Sequence, residues 1–84
     1  MNTYWSIGYK RKRDNFIWFL SHVHSLKLKE AKEILDEWVD AVKTSTTAEP
    51  GCFFVVPAVD GLLYMTNDQQ LEQYHKNMVY ERYF

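Results

Sequence analysis

The sequence predicts an α+β fold, a small sandwich with helices packed on a short antiparallel sheet in the order β-α-α-β-β-α(-β). Three observations lead there. Hydrophobic spacing runs with period two near the start and with period 3.6 through the middle, and a continuous apolar run follows Gly51. An Asp60-Gly61 pair parts two short apolar runs, a hairpin signal because both residues accept positive φ. The length, 84 residues, suits one domain spanning 1–84 and not two.

Residues 4–9 form the first expected strand, with Trp5, Ile7 and Tyr9 on one face and Ser6 and Gly8 on the other. A basic turn follows. Asp14 or Asn15 then caps a helix to about His24, since a short side-chain oxygen accepts the orphan N–H groups of a first turn. Phe16, Ile17, Leu20 and Val23 make its buried stripe, while Trp18, Phe19 and His22 lie off it. A second helix covers about 28–42, with Ala31, Ile34, Leu35, Trp38 and Val42 inward and Lys29, Lys32, Glu33, Asp36, Glu37 and Asp40 in solvent. Residues 44–51 are a polar loop. Residues 52–56 and 62–65 read as strands. Asn67 or Asp68 caps a third helix, in capping-box spacing with Gln70, whose stripe is Leu71, Tyr74 and Met78. Residues 80–84 alternate aromatic and charged side chains, which suits a last strand or a fraying helix end.

Composition removes several classes. Ten Lys+Arg against eleven Asp+Glu exclude a wholly basic nucleic-acid protein and a disordered acidic one. The only cysteine, Cys52, forbids an intrachain disulfide and suits a reducing cytoplasm. No apolar run reaches the ~18 residues of a membrane span. The start at Met1, without a cationic leader or a tag, predicts a complete chain. Fourteen aromatic residues exceed what a core of this size holds comfortably, so some are expected at a surface or interface. Charge is uneven: residues 1–43 carry eight Lys+Arg and six Asp+Glu, residues 44–84 two and five.

The stretch from Phe16 to Asp36, FIWFLSHVHSLKLKEAKEILD, resembles the helix-turn-helix of the C-terminal domain of the bacterial ribosomal stalk protein. Leu28-Lys29-Glu30-Ala31-Lys32 matches that family's L-K-E-A-K. Leu26 takes the place of its first Leu, and Ile17, Leu20 and Val23 fall on its apolar helix positions. The resemblance implies an α+β domain that recruits translational GTPases through helix lysines, here Lys29 and Lys32. Trp18 and Ser21 stand where the family's first helix carries Lys and Arg. YMTNDQQLEQYH, from Tyr64 to His75, is similar in layout to a segment of the N-degron adaptor family of the Clp protease; the pocket His of that family falls on Val39.

Chemistry-bearing patterns are sparse. His22 and His24, two apart on a helix, would point about 200° apart and cannot share a metal. Cys52 lacks a nucleophile signature, and the three glycines are isolated, so no phosphate loop exists. The expectation is a non-enzymatic domain with no cofactor, no metal and no small-molecule substrate. It would act as adaptor, regulator or inhibitor of a larger protein, or self-associate, through Trp18, Phe19, His22, Lys29, Lys32, Tyr80, Tyr83 and Phe84. The alternative is a nucleic-acid or ribosome-associated module that grips phosphates with Lys10, Arg11, Lys12 and Arg13, aided by Tyr9 and Lys27.

Overall fold

Six elements make up the computed structural model, which describes residues 3–20, 26–58, 61 and 64–84. They are β1 (Trp5–Arg11), β2 (Ile17–Phe19), α1 (Leu28–Lys43), β3 (Gly51–Pro57), α2 (Asn67–Asn77) and β4 (Tyr80–Tyr83). The strands pair antiparallel throughout, in the spatial order β2-β1-β3-β4. The α+β class, with helices on a short antiparallel sheet, is the one the sequence predicts. The observed order is β-β-α-β-α-β.

The largest correction concerns residues 14–20. Asp14 and Asn15 do not cap a helix; they turn a hairpin. The Asp14 carboxylate accepts from the Phe16 amide at 3.1 Å. Asn15 sits at φ 58, the left-handed conformation that Asn tolerates best after Gly. The Arg11 amide then donates to the Phe16 carbonyl at 2.8 Å, and the chain returns as β2. The same short polar side chains serve caps and turns, so the local signal does not separate them. Residues 21–25, which include His22, Val23 and His24, lie outside the described residues.

The second expected helix holds as α1. Ala31, Leu35 and Val39, four apart, are fully buried. Its face lies over Ile7 and Val55, flanked by Trp5, Leu26 and Tyr80. The opposite face of the sheet carries Ile17, Phe19, Cys52, Phe54 and Val56 beneath Tyr74, Leu71 and Met78 of the α2 segment. The sheet is thus covered on both sides. In the run from Phe16 to Leu20, apolar at every position, Ile17 and Phe19 turn to the α2 layer, while Phe16 and Trp18 turn to the other side and stay partly exposed.

Helix α2 begins one residue earlier than expected. Thr66 is its N-cap, in a capping box with Gln69. Residues 60, 62 and 63 of the expected hairpin lie outside the described residues; Gly61 has φ 91, Tyr64 is in a 3₁₀ turn with its amide donating to the Gly61 carbonyl at 3.0 Å, and Met65 is in a bend, so neither is strand. Residues 80–83 resolve as the edge strand β4. Among the described residues no helix is long and apolar enough to cross a membrane.

Candidate functional site

Register places the site. Tyr9 of β1 pairs with Trp18 of β2 on one side and with Phe53 of β3 on the other. All three side chains rise on the α1 face, together with Phe84, which follows β4. The Tyr9 ring stacks on Trp18 at 5.6 Å and on Phe84 at 6.0 Å, and Phe53 lies 5.8 Å away, tilted. Phe16 joins at the edge, 4.4 Å from Trp18. Room for Tyr9 comes from Gly51: a Cβ there would lie 2.8 Å from Tyr9 Cε2.

The C-terminal turn of α1 does not close over this row. Between Val42, the loop residues Ala48 and Glu49, and the rings of Tyr9, Trp18, Phe53 and Phe84 a cleft of about 290 Å³ stays open, with Leu20 in its wall. Trp18, on the edge strand β2, keeps 39% of its surface exposed, and Phe16 beside it 36%.

The basic turn abuts this cleft. Arg11 holds Asp14 with both carboxylate oxygens, Nε at 2.8 Å and Nη2 at 2.6 Å, and lays its guanidinium 4.9 Å from the Trp18 ring centroid. This bidentate bond from Arg11, helped by the Phe16 amide, holds the Asp14 carboxyl down at about 2. Glu49 stands 3.6 Å from Arg11 and 3.4 Å from Arg13. Lys12 has no carboxylate within ion-pair distance among the described residues. Arg11, Lys12, Arg13, Glu49 and Pro50 line a second, shallow pocket of about 350 Å³.

Other expected site residues disperse. Lys10 points to the opposite face, where its Nζ donates to the Tyr74 hydroxyl at 3.2 Å. Lys27 is exposed beside the other end of β1, next to the Trp5–Leu26 bridge. Phe19 is 6% exposed and packs edge-on against Phe54, which places it in the core and away from the cleft. Lys29 is exposed on α1, and Lys32 reaches toward the Tyr80 ring at 5.4 Å. Tyr80 donates to Asp36 at 2.7 Å, and Arg82 joins the same carboxylate oxygen at 2.9 Å, a clasp between β4 and α1. Tyr83 is exposed on the α2 face and donates to Glu81 at 3.2 Å. The expected protein-binding set therefore splits. Trp18 and Phe84 share the cleft; Phe19, Lys29, Lys32, Tyr80 and Tyr83 do not, and His22 lies outside the described residues.

Tyr9, Phe16, Leu20, Val42, Glu49 and Phe53 belong to the cleft and its border without having been singled out for protein binding. For Phe16 and Leu20 the signal is their alternation with Trp18, legible only once those residues are taken as strand.

Across the sheet, Tyr74 donates to Glu81, whose carboxylate also meets the Cys52 thiol at 3.9 Å. Burial pushes the Cys52 thiol up, and the side chain is fully enclosed, which makes it a poor nucleophile. Among the described residues no group of three or more His, Cys, Asp or Glu could hold a metal ion. No family model, curated protein or solved structure matches the chain.

Proposed function

We propose that the chain is a non-enzymatic protein-binding domain, an adaptor, regulator or inhibitor of a larger cytoplasmic protein, and that the aromatic cleft is its binding surface. One observation carries this reading: an open cleft of about 290 Å³ flanked by a 39% exposed Trp18, on a sheet face that is otherwise roofed by α1. Exposed Trp and Tyr in a partly enclosed apolar site are the residue types that dominate binding energy, at ~2 kcal/mol or more each. The nucleic-acid reading has weaker support. Arg11 is committed to Asp14, Arg13 faces Glu49, and Lys10 lies on the other side of the sheet, so the four cations do not form one phosphate-gripping row.

The test is affinity purification with wild-type and Trp18→Ala baits, read by quantitative mass spectrometry. A partner retained by the wild type should fall about thirty-fold on the variant, the equivalent of ~2 kcal/mol. Circular dichroism should report an intact fold, because the Trp18 ring is only partly buried. Equal recovery on both baits, or no partner together with a monomeric wild type by sedimentation, would refute the proposal.

A further inference from the structure

The apolar cleft and the cationic pocket share one wall, Glu49. From that juxtaposition we infer that the two act as a single receptor for an acidic peptide segment. An apolar anchor side chain would enter the cleft, and a neighbouring Asp or Glu would take the place of Glu49 on Arg13 and Lys12. The inference rests on the protein-binding reading of the cleft and adds the class of partner.

Charge complementarity is the first support. Three cations, Arg11, Lys12 and Arg13, meet two carboxylates, Asp14 and Glu49. Asp14 is consumed by Arg11 at 2.6 Å and 2.8 Å. Glu49 alone is left for Arg13 and Lys12, and it is badly placed. Its distances of 3.6 and 3.4 Å exceed the ~2.7–2.9 Å of a charge-assisted N–H···O bond, and its side chain is 49% exposed. Its backbone is tied down on both sides. The Glu49 carbonyl accepts from the Tyr9 hydroxyl at 3.2 Å, and the next carbonyl, of Pro50, accepts from the Lys12 amide at 3.0 Å. Glu49 is therefore a tethered, imperfect ligand for its own arginine. A partner carboxylate free to adopt fork geometry would bind that guanidinium better.

Ring geometry favours a peptide over a nucleic acid. Tyr9 and Trp18 are already stacked on one another and leave no slot for a base between them. Leu20, Val42 and Ala48 give the cleft aliphatic walls, which suit a Leu, Ile or Phe side chain.

The experiment selects a displayed random dodecamer library on the immobilised wild-type chain and counter-selects on Trp18→Ala. The best binder is then synthesised with a fluorescent label beside a twin in which Asp and Glu become Asn and Gln. Enrichment of Asp or Glu next to an apolar residue is expected, with the acidic peptide binding at least five-fold tighter than its twin by anisotropy. Glu49→Gln should tighten the acidic peptide about two- to five-fold more than it changes the twin, the worth of a half-exposed ion pair. Arg13→Gln should weaken only the acidic peptide. If the twin binds as well as the acidic peptide, or Glu49→Gln has no effect, the inference is overturned while the cleft reading stands. If no peptide distinguishes wild type from Trp18→Ala, or if a labelled oligothymidine binds there instead, both are overturned. A dimer that dissociates in Trp18→Ala overturns the peptide class and makes the occupant a second copy of the chain.

Discussion

Gly8→Ala is expected to cost the fold more than any surface change, and its cost can be worked out. Gly8 lies in the central strand β1, opposite Phe54 of β3 and Phe19 of β2. A Cβ built on it would overlap Phe54 Cζ, lie 2.7 Å from Phe54 Cε2, and lie 2.9 Å from the Trp18 carbonyl oxygen. Neither neighbour can yield easily. The Phe54 ring is fully buried and held edge-on by Phe19 at 5.7 Å and Tyr74 at 4.7 Å. The carbonyl belongs to the β2 backbone. Overpacking of this kind costs ~1–3 kcal/mol, and contact with both backbone and a pinned ring places it near the upper figure. Ala restricts the unfolded chain and returns ~0.5–1 kcal/mol. The net loss is ~2 kcal/mol, or a fall in Tm of about 8–16 °C for a domain of this size. Urea denaturation followed by tryptophan fluorescence, with calorimetry, measures both. Adding Phe54→Leu should relieve the clash, so the two changes should be less harmful together than their sum by at least ~1 kcal/mol. A Gly8→Ala midpoint within ~0.5 kcal/mol of wild type, or strict additivity with Phe54→Leu, would refute the packing account.

Three further outcomes are expected. Gly51→Ala overlaps the Lys10 carbonyl oxygen and pushes against Tyr9 Cε2 and Cζ, so it should destabilise by ~1–3 kcal/mol and weaken cleft binding, which a displaced tryptophan emission maximum and a binding assay would both register. Asp14 is held at about 2 by Arg11, below its value in the unfolded chain. The hairpin therefore gains stability above pH ~4 and loses it as pH falls toward 2, and acid titration of Asp14→Asn should show a flatter profile over that window. Tyr74→Phe removes the hydroxyl that serves Glu81 and Lys10 and should cost ~1–3 kcal/mol in urea. Burial first, and Glu81 second, raise the Tyr74 phenol well above its usual range, so the folded state keeps a proton that the unfolded chain releases. Wild-type stability should then decline as pH rises past ~10, and urea midpoints at pH 9 and 11 should differ less in the variant.

What the sequence alone determined is clear at α1 and β3. The spacing of Ala31, Ile34, Leu35 and Trp38 predicts the buried face, and the structure adds Val39, fully buried and absent from the expected stripe. The apolar strand after Gly51, the turn character of Gly61 and a helix from about Asn67 were likewise local. The α+β class follows from those elements. Residues 16–20 show where locality stops. Phe-Ile-Trp-Phe-Leu is apolar on every side, so helix and strand bury it equally well, and periodicity has nothing to measure. Only pairing with β1 and the packing of Ile17 and Phe19 beneath α2 decide for the strand.

The same decision makes the site. On a helix, Trp18 and Phe19 would have shared a surface; on a strand they part, with Phe19 going into the core and Trp18 to the cleft. The aromatic excess was legible as a count from composition. Its convergence was not, because Tyr9, Trp18, Phe53 and Phe84 are far apart in the chain and meet only through strand register and order. The cations were legible as a block, yet alternation along β1 sends Lys10 to one face and Arg11 to the other. Tertiary structure thus decided which residues of the block stand beside the cleft, since a strand's period of two divides neighbours that a linear reading joins.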